Sequence, residues 1–113
     1  MLRVQKIEQG KFEVNSQQQK RFNILFAEEA GRQLKELVSI SGSRVYFNLE
    51  NINFIDSAGF TVLREINKLA KEKDSSFVLC NITSDVMELI YLLNLGDDFR
   101  IGRRDFKKVK AEK

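Results

Sequence analysis

The residues of this sequence best placed to do chemistry are Asp56 and Ser57, which two small residues, Ala58 and Gly59, follow directly. They lie between a short apolar segment and the most regular helical pattern of the chain. Asp and Ser oxygens at a helix start accept hydrogen bonds from unpaired backbone N–H groups. The positive end of a helix also stabilises a phosphate. The spacing therefore predicts one of two roles for Ser57. It either caps the helix, or it is a phosphorylation site at which the added charge leaves the fold intact but repels a docked partner.

The composition argues against an enzyme. The 113 residues include no His, no Pro and one Cys, Cys80. Catalytic arrangements that need His are therefore excluded, as are an intrachain disulfide and multi-cysteine zinc sites. An enzyme or ligand binder can still be built on Asp56, Ser57 or the pair Asp97 and Asp98, but adjacent carboxylates point in different directions and no general base accompanies Ser57. We expect no catalytic residues, no metal site and no cofactor.

The basic charge of the chain is concentrated at its C-terminal end. Residues 100–113 contain seven cations and two anions, whereas the first 99 residues contain twelve cations and fourteen anions. This distribution predicts a slightly acidic folded body with a basic tail at about residues 102–113. The tail is typical of a frayed terminus, although a basic fringe can contact an anionic surface and Phe106 and Val109 can dock on the body. We expect no direct contact with nucleic acid.

Length and hydropathy predict a single soluble domain over residues 1–113, with its core at about residues 2–101. A chain of 113 residues can bury one hydrophobic core without stabilising disulfides or metal ions. The first six residues have no signal-peptide character, and no apolar run approaches the roughly 20 residues of a membrane span. Cys80, a lone thiol in an apolar stretch, is typical of a reducing compartment. We therefore expect a cytoplasmic protein.

The apolar pattern predicts an α/β fold with a mixed, partly parallel β-sheet and packed α-helices. Alternation in residues 2–7 and 11–15, around a turn at Gln9 and Gly10, predicts an N-terminal antiparallel hairpin. Dense apolar runs predict strands at residues 45–49, 52–55 and 76–82. Helical periodicity spans residues 27–38, 59–70 and 84–93, and Asn23 is placed to cap the first helix. Strands that alternate with helices in this way form a partly parallel sheet.

The last predicted helix is apolar nearly all round. Ser84 is placed to cap it, and Leu95 and Gly96 to end it. Its predicted core stripe consists of Val86, Leu89, Ile90 and Leu93. The surplus apolar residues outside that stripe include Met87, Tyr91 and Leu92. Such a surplus indicates a second interface with a partner, unless the C-terminal tail covers it.

Residues 45–60, VYFNLENINFIDSAGF, resemble the signature of the STAS family, the domain shared by sulfate transporters and anti-sigma factor antagonists. The shared pattern is an apolar strand ending in Asp or Asn before Leu, then an apolar pair, then Asp-Ser-small-Gly-apolar. The similarity covers about residues 23–101. The segment Lys20-Arg21-Phe22-Asn23 departs from the family, which usually has Gly-Glu-Leu-Asp before the first helix.

The resemblance implies a bacterial partner-switching regulator of transcription, most like the stand-alone anti-sigma factor antagonists. In these proteins the serine at the position of Ser57 is phosphorylated by an anti-sigma factor that is also a serine kinase, and a phosphatase reverses the modification. The unphosphorylated form binds the kinase and frees a sigma factor. The residues that the resemblance implies as partner-binding around the phosphorylation site are Asn23, Asn48, Asp56, Ala58, Gly59 and Phe60. The alternative is a constitutive STAS subunit of a transport or membrane-associated complex, in which Ser57 acts only as a helix cap.

Overall fold

The chain forms a five-stranded β-sheet, a separate two-stranded pair and three α-helices. A computed structural model describes residues 2–102, and the basic tail beyond them, with Phe106 and Val109, lies outside the described residues. The strands are β1 (Arg3–Glu8), β2 (Lys11–Asn15), β3 (Arg21–Phe22), β4 (Arg44–Asn48), β5 (Phe54–Ile55), β6 (Ser76–Cys80) and β7 (Arg100–Ile101). The helices are α1 (Ile24–Val38), α2 (Ser57–Glu72) and α3 (Ser84–Leu92), and a single 3-10 turn spans Gly96–Asp98.

The main sheet is mixed, with the strand order β1-β2-β4-β6-β7. Strands β1 and β2 pair in antiparallel fashion through a turn in which Gly10 has a φ of 78°, and the other neighbours pair in parallel. Strands β3 and β5 form the separate parallel pair. The predicted fold class and the N-terminal hairpin are both confirmed.

One face of the main sheet holds the core. Along this face Val14 pairs with Phe47, and Phe47 pairs with Leu79, while Phe77 stacks on Phe47 with ring centroids 6.3 Å apart. The apolar stripes of the three helices pack on these side chains. Gly31 brings α1 and α2 together, because a Cβ atom there would lie 2.9 Å from Val62 Cγ1.

The apolar–polar alternation of residues 2–7 is typical of a half-buried strand, but all six residues of β1 are exposed. Strand β1 lies at the edge of the sheet, and its pairing with β2 is irregular between Lys6 and Glu8. Val4 and Ile7 are therefore exposed despite the apolar–polar alternation. An edge strand lacks a neighbour on one side, so alternation alone does not bury it.

Both predicted ends of α3 are shifted. The N-cap is Thr83 rather than Ser84: Thr83 Oγ1 accepts a hydrogen bond from Val86 N at 3.3 Å and donates one to Ile52 O at 2.8 Å. The helix ends at Leu92, ahead of Asn94, whose φ of 58° is left-handed. Asn tolerates this conformation better than most residues, so it ends the helix before Gly96 is reached.

Leu93 lies beyond this early end of α3 and is exposed, although the sequence pattern placed it in the core stripe. Val86 and Ile90 are buried as expected, and Leu89 is half-buried. The helical repeat therefore predicts the buried face correctly only as far as the helix itself extends.

Candidate functional site

Ser57 is the first residue of α2, and it is exposed to solvent. The residue before it, Asp56, has extended backbone and is the N-cap: its Oδ1 accepts a hydrogen bond from Gly59 N at 2.7 Å. Because Asp56 makes the capping bond, the Ser57 hydroxyl is not needed for it. The arrangement presents a serine hydroxyl on a rigid helix start.

The second carboxylate oxygen of Asp56 reaches the start of another helix. Asp56 Oδ2 accepts a hydrogen bond from Ile24 N at 3.2 Å, across 32 positions of sequence. The first turn of α1 is also capped by Asn23, whose Oδ1 accepts from Phe26 N at 3.3 Å, as predicted. The N-terminal ends of α1 and α2 therefore meet at the Asp56 carboxylate, in a region that we call the Asp56–Ser57 corner. Both helix dipoles place partial positive charge at this corner.

The short strands β3 and β5 hold the corner together. Phe22 pairs with Ile55, and the Arg21 guanidinium lies 5.0 Å from the ring centroid of Phe54. Gly59 packs so tightly under Phe22 that a Cβ atom would collide with the Phe22 carbonyl oxygen and lie 2.9 Å from Ile55 Cγ2. Glycine is therefore required at position 59, in the first turn of α2. This requirement fixes the position of Ser57, two residues earlier.

The corner is flanked by two apolar side chains, and the sequence patterns did not single out either of them. Ile24 and Leu25 occupy the first turn of α1, and both are exposed. The available signal was their position: they precede the stripe that begins at Ala27, so the helical repeat leaves them off the core. Lys20 and Arg21 are exposed just before them, so the segment that enters α1 presents both cationic and apolar side chains to solvent.

The structure does not bring every predicted site residue to the surface. Asn48 is only 2% exposed: its Nδ2 donates to Glu13 Oε2 at 2.7 Å, and its Oδ1 accepts from Glu50 N at 3.0 Å. Gly59 and Phe60 are buried as well, and Phe60 lies against Phe99. These three residues are therefore part of the interior and not of the exposed surface around Ser57. Those that reach the surface in whole or in part are Asn23, Asp56, Ser57 and Ala58.

The acids Asp97 and Asp98 do not form a catalytic pair. They lie on the 3-10 turn, and Asp98 Oδ2 is 3.4 Å from Arg64 Nε on α2. Lys68 and Lys71 of α2 line the same open groove. Asp98 therefore serves to hold this turn against the helix.

Helix α3 exposes a large apolar surface. Tyr91 is 81% exposed and Leu92 is 68% exposed, and Met87 is also exposed. The acids on this helix, Asp85 and Glu88, are exposed beside them. Within residues 2–102, the surplus side chains that the sequence pattern assigned to a second interface therefore face solvent.

Comparison with protein-family models gives a match between residues 15–109 and the STAS domain. The chain belongs to the STAS domain family. The match includes β3 and the Asp56–Ser57 corner, and it begins at the last residue of β2, so it extends beyond the residues on which the sequence resemblance rested. A comparison with curated proteins gives no match.

Solved structures share the fold of this STAS domain. The anti-sigma factor antagonist SpoIIAA in its unphosphorylated form aligns with a TM-score of 0.69 at 9% identity, covering 99% of this chain and 96% of that chain. SpoIIAA from Bacillus in its phosphorylated form aligns with a TM-score of 0.68 at 10% identity, covering 100% of both chains. A STAS domain protein from Planctomyces limnophilus aligns with a TM-score of 0.76 at 17% identity, covering 97% of this chain and 96% of that chain.

No helix within residues 2–102 of this STAS domain is long and apolar enough to cross a bilayer.

Proposed function

We propose that this STAS domain is a non-enzymatic cytoplasmic regulator that binds an anti-sigma factor serine kinase and is released when the kinase phosphorylates Ser57. A phosphatase then restores the binding form. The observation that carries the proposal is the exposed Ser57 hydroxyl at the start of α2, where Asp56 already makes the capping bond. The domain offers a substrate hydroxyl, and the kinase supplies the nucleotide, the metal and the base.

The corner suits a phosphate that changes binding without changing the fold. A phosphate on Ser57 adds about −1.5 to −2 charge beside unpaired N–H groups of α2, which stabilise it. The same charge must be desolvated if a partner covers the corner, so a partner that packs on Ile24 and Leu25 loses affinity. In support, SpoIIAA has been solved in both phosphorylated and unphosphorylated forms, and both align with this chain equally well.

Mass spectrometry of the tagged protein purified from its native cells tests this switch. We expect phosphate on Ser57, and we expect Ser57→Ala to retain a kinase that Ser57→Asp loses. Ser84→Ala is the matched control, because Ser84 is also the exposed first residue of a helix whose cap is its neighbour. Phosphate found only on serines other than 57, or equal kinase recovery with Ser57→Ala and Ser57→Asp, would sink the proposal.

A second candidate function is a constitutive subunit of a transport or membrane-associated complex. The exposed surface of α3 favours it, because Tyr91 and Leu92 offer apolar area that does not depend on Ser57. In this case we expect Tyr91→Glu to reduce recovery of a transporter partner at least about tenfold, since burying one aromatic side chain contributes about 1.5–3 kcal/mol.

The matched control for the α3 surface is Ile40→Glu, which places the same charge on an exposed apolar residue after α1. Ile40→Glu and both Ser57 variants are expected to recover the transporter partner normally. If Tyr91→Glu also recovers it normally, α3 is not the interface and the second candidate is rejected.

A further inference from the structure

Two cations on the segment that enters α1 have no acidic partner within residues 2–102. Lys20 and Arg21 are both exposed, and none of the three ion pairs between described residues includes them. The Arg21 guanidinium lies 5.0 Å from the ring centroid of Phe54, which is half-buried. This cation–π contact holds the Arg21 side chain in place, and its N–H groups remain able to donate to a carboxylate.

The pairing of β3 with β5 places Arg21 near the Asp56–Ser57 corner. Arg21 pairs with Phe54, which precedes Ser57 by three residues, so the Cα atoms of Phe54 and Ser57 are at most about 11 Å apart. Ile24 follows Arg21 by three residues on the paired segment, and its N–H donates to Asp56 Oδ2 at 3.2 Å. Arg21, Ile24 and Ser57 are therefore neighbours, and all three are exposed to solvent.

The side chains of this region change from cationic to apolar to acidic along the chain. Lys20 and Arg21 form the cationic end. Leu25 follows, and at 85% it has the largest exposed fraction of the large apolar side chains in the described part of the chain. Glu28 and Glu29, one turn further along α1, are exposed as well. We call these five residues the β3–α1 strip.

We propose that the serine kinase binds the β3–α1 strip with an acidic patch against Lys20 and Arg21 and an apolar pocket around Leu25. This inference rests on the proposed function, because it names the chemistry of the partner surface that covers Ser57. Charge complementarity supports it, since an acidic patch is attracted by the cationic end of the strip and repelled by the acidic end. The strip therefore admits one orientation of the kinase, with its acidic patch on the β3 side of Ser57.

A protein fits the strip better than a polyanion does. A nucleic acid or an anionic membrane presents negative charge over the whole contact, so it would repel Glu28 and Glu29 while it attracts Lys20 and Arg21. The matching surface has acids opposite one end of the strip and none opposite the other. Protein surfaces have such local variation in charge, which gives specificity to their contacts.

The test of the cationic end measures the affinity of Ser57→Ala for the purified kinase that is recovered with it. Adding Arg21→Glu is expected to weaken this affinity at least about tenfold at low salt, because it places a carboxylate against the acidic patch. The difference should shrink at about 0.5 M salt, which screens exposed charges. Lys68→Glu is the matched control, because it makes the same change in charge on an exposed residue about 16 Å from Ser57 along α2. We expect it to bind within twofold of Ser57→Ala.

The apolar part of the strip is tested by adding Leu25→Ala to Ser57→Ala. We expect at least about tenfold weaker binding at low and at high salt, since salt does not screen the burial of a leucine side chain. Ile40→Ala is the matched control: Ile40 is 51% exposed and lies just beyond the other end of α1, so its loss should leave the affinity within twofold. Circular dichroism and urea unfolding identify the variants that are folded, and Arg21→Gln replaces Arg21→Glu if the charge reversal prevents folding.

The outcomes distinguish the chemistry of the strip from the Ser57 switch itself. If Ser57→Ala recovers no kinase, the proposed function fails, and the inferred partner surface fails with it. If the kinase is recovered but either the Arg21 or the Leu25 variant binds within twofold of Ser57→Ala, the switch is unaffected and the inference is overturned. Tighter binding by Arg21→Glu would also overturn it, since the partner surface would then be basic. Loss of sedimentation with phosphatidylglycerol vesicles on Arg21→Glu, at unchanged kinase affinity, would assign the cations to a membrane surface instead.

Discussion

Replacing Gly59 with alanine is expected to lower the free energy of unfolding by about 3 kcal/mol, because overpacking against an immobile neighbour is among the costly core changes. The added Cβ atom would collide with the Phe22 carbonyl oxygen, and it would lie 2.9 Å from Ile55 Cγ2 and 3.0 Å from Phe22 Cδ2. A flexible side-chain tip can move aside, but the backbone oxygen cannot. Strand β3 is fixed by its pairing with β5 and by the fully buried Phe22 ring.

Urea unfolding followed by circular dichroism measures the effect of Gly59→Ala. The matched control is Gly96→Ala, because nothing lies within 4 Å of a Cβ atom at that glycine and its φ is not left-handed. We expect Gly96→Ala to change the free energy of unfolding by no more than about 0.5 kcal/mol. If the two alanine variants unfold at the same urea concentration, the close approach of β3 to α2 is not what holds the corner.

The structural features that could be predicted from the sequence are those that depend only on residues close together in the chain. Asn23 caps α1 because an Asn before an apolar helical repeat is a local signal, and Gly10 forms the hairpin turn for the same kind of reason. The signature around Ser57 is equally local, since its strand, loop and helix start follow one another within sixteen residues. These features needed no knowledge of the rest of the chain.

Pairings between distant segments could not be predicted in this way. Strand β3 has only two residues, and it exists because it pairs with β5, more than thirty positions away. The burial of Asn48 depends on Glu13 of β2, which accepts its amide hydrogen bond. A polar residue at a strand end resembles a surface residue in sequence, so only the register of β2 against β4 reveals that it is enclosed.

The C-terminal end of α3 was predicted at the wrong residue for a different reason. Gly96 is the residue that most often ends a helix, yet Asn94 adopts the left-handed conformation first. Leu95 N then bonds to Ile90 O at 2.9 Å, and Asn94 N bonds to Tyr91 O at 3.1 Å. Both stop signals were present within three residues, and propensity alone favoured the wrong one.

The carboxylate of Asp56 joins α1 to α2, so Asp56→Ala is expected to lower the free energy of unfolding by about 2 kcal/mol. Removing an N-cap side chain costs about 1 kcal/mol, and losing the bond to Ile24 N costs about as much again. Asp56→Asn keeps one acceptor oxygen and is expected to lose about half as much. Asp85→Ala is the control, because Asp85 lies in the first turn of α3 without capping it, and its loss should cost about 0.5 kcal/mol.

The functional effect of Asp56→Ala should exceed its effect on stability. Without the bond to Ile24 N, the first turn of α1 is no longer tied to the turn that carries Ser57, so Ile24 and Leu25 lose their fixed position beside the hydroxyl. At a temperature where Asp56→Ala and Asp85→Ala are both more than about 95% folded, the folded fraction limits each rate by less than twofold. We expect the cognate kinase to phosphorylate Asp56→Ala at least about tenfold more slowly than Asp85→Ala, since a misplaced acceptor sharply lowers the rate of group transfer. Equal rates would show that Asp56 stabilises the domain without positioning Ser57 for its partner.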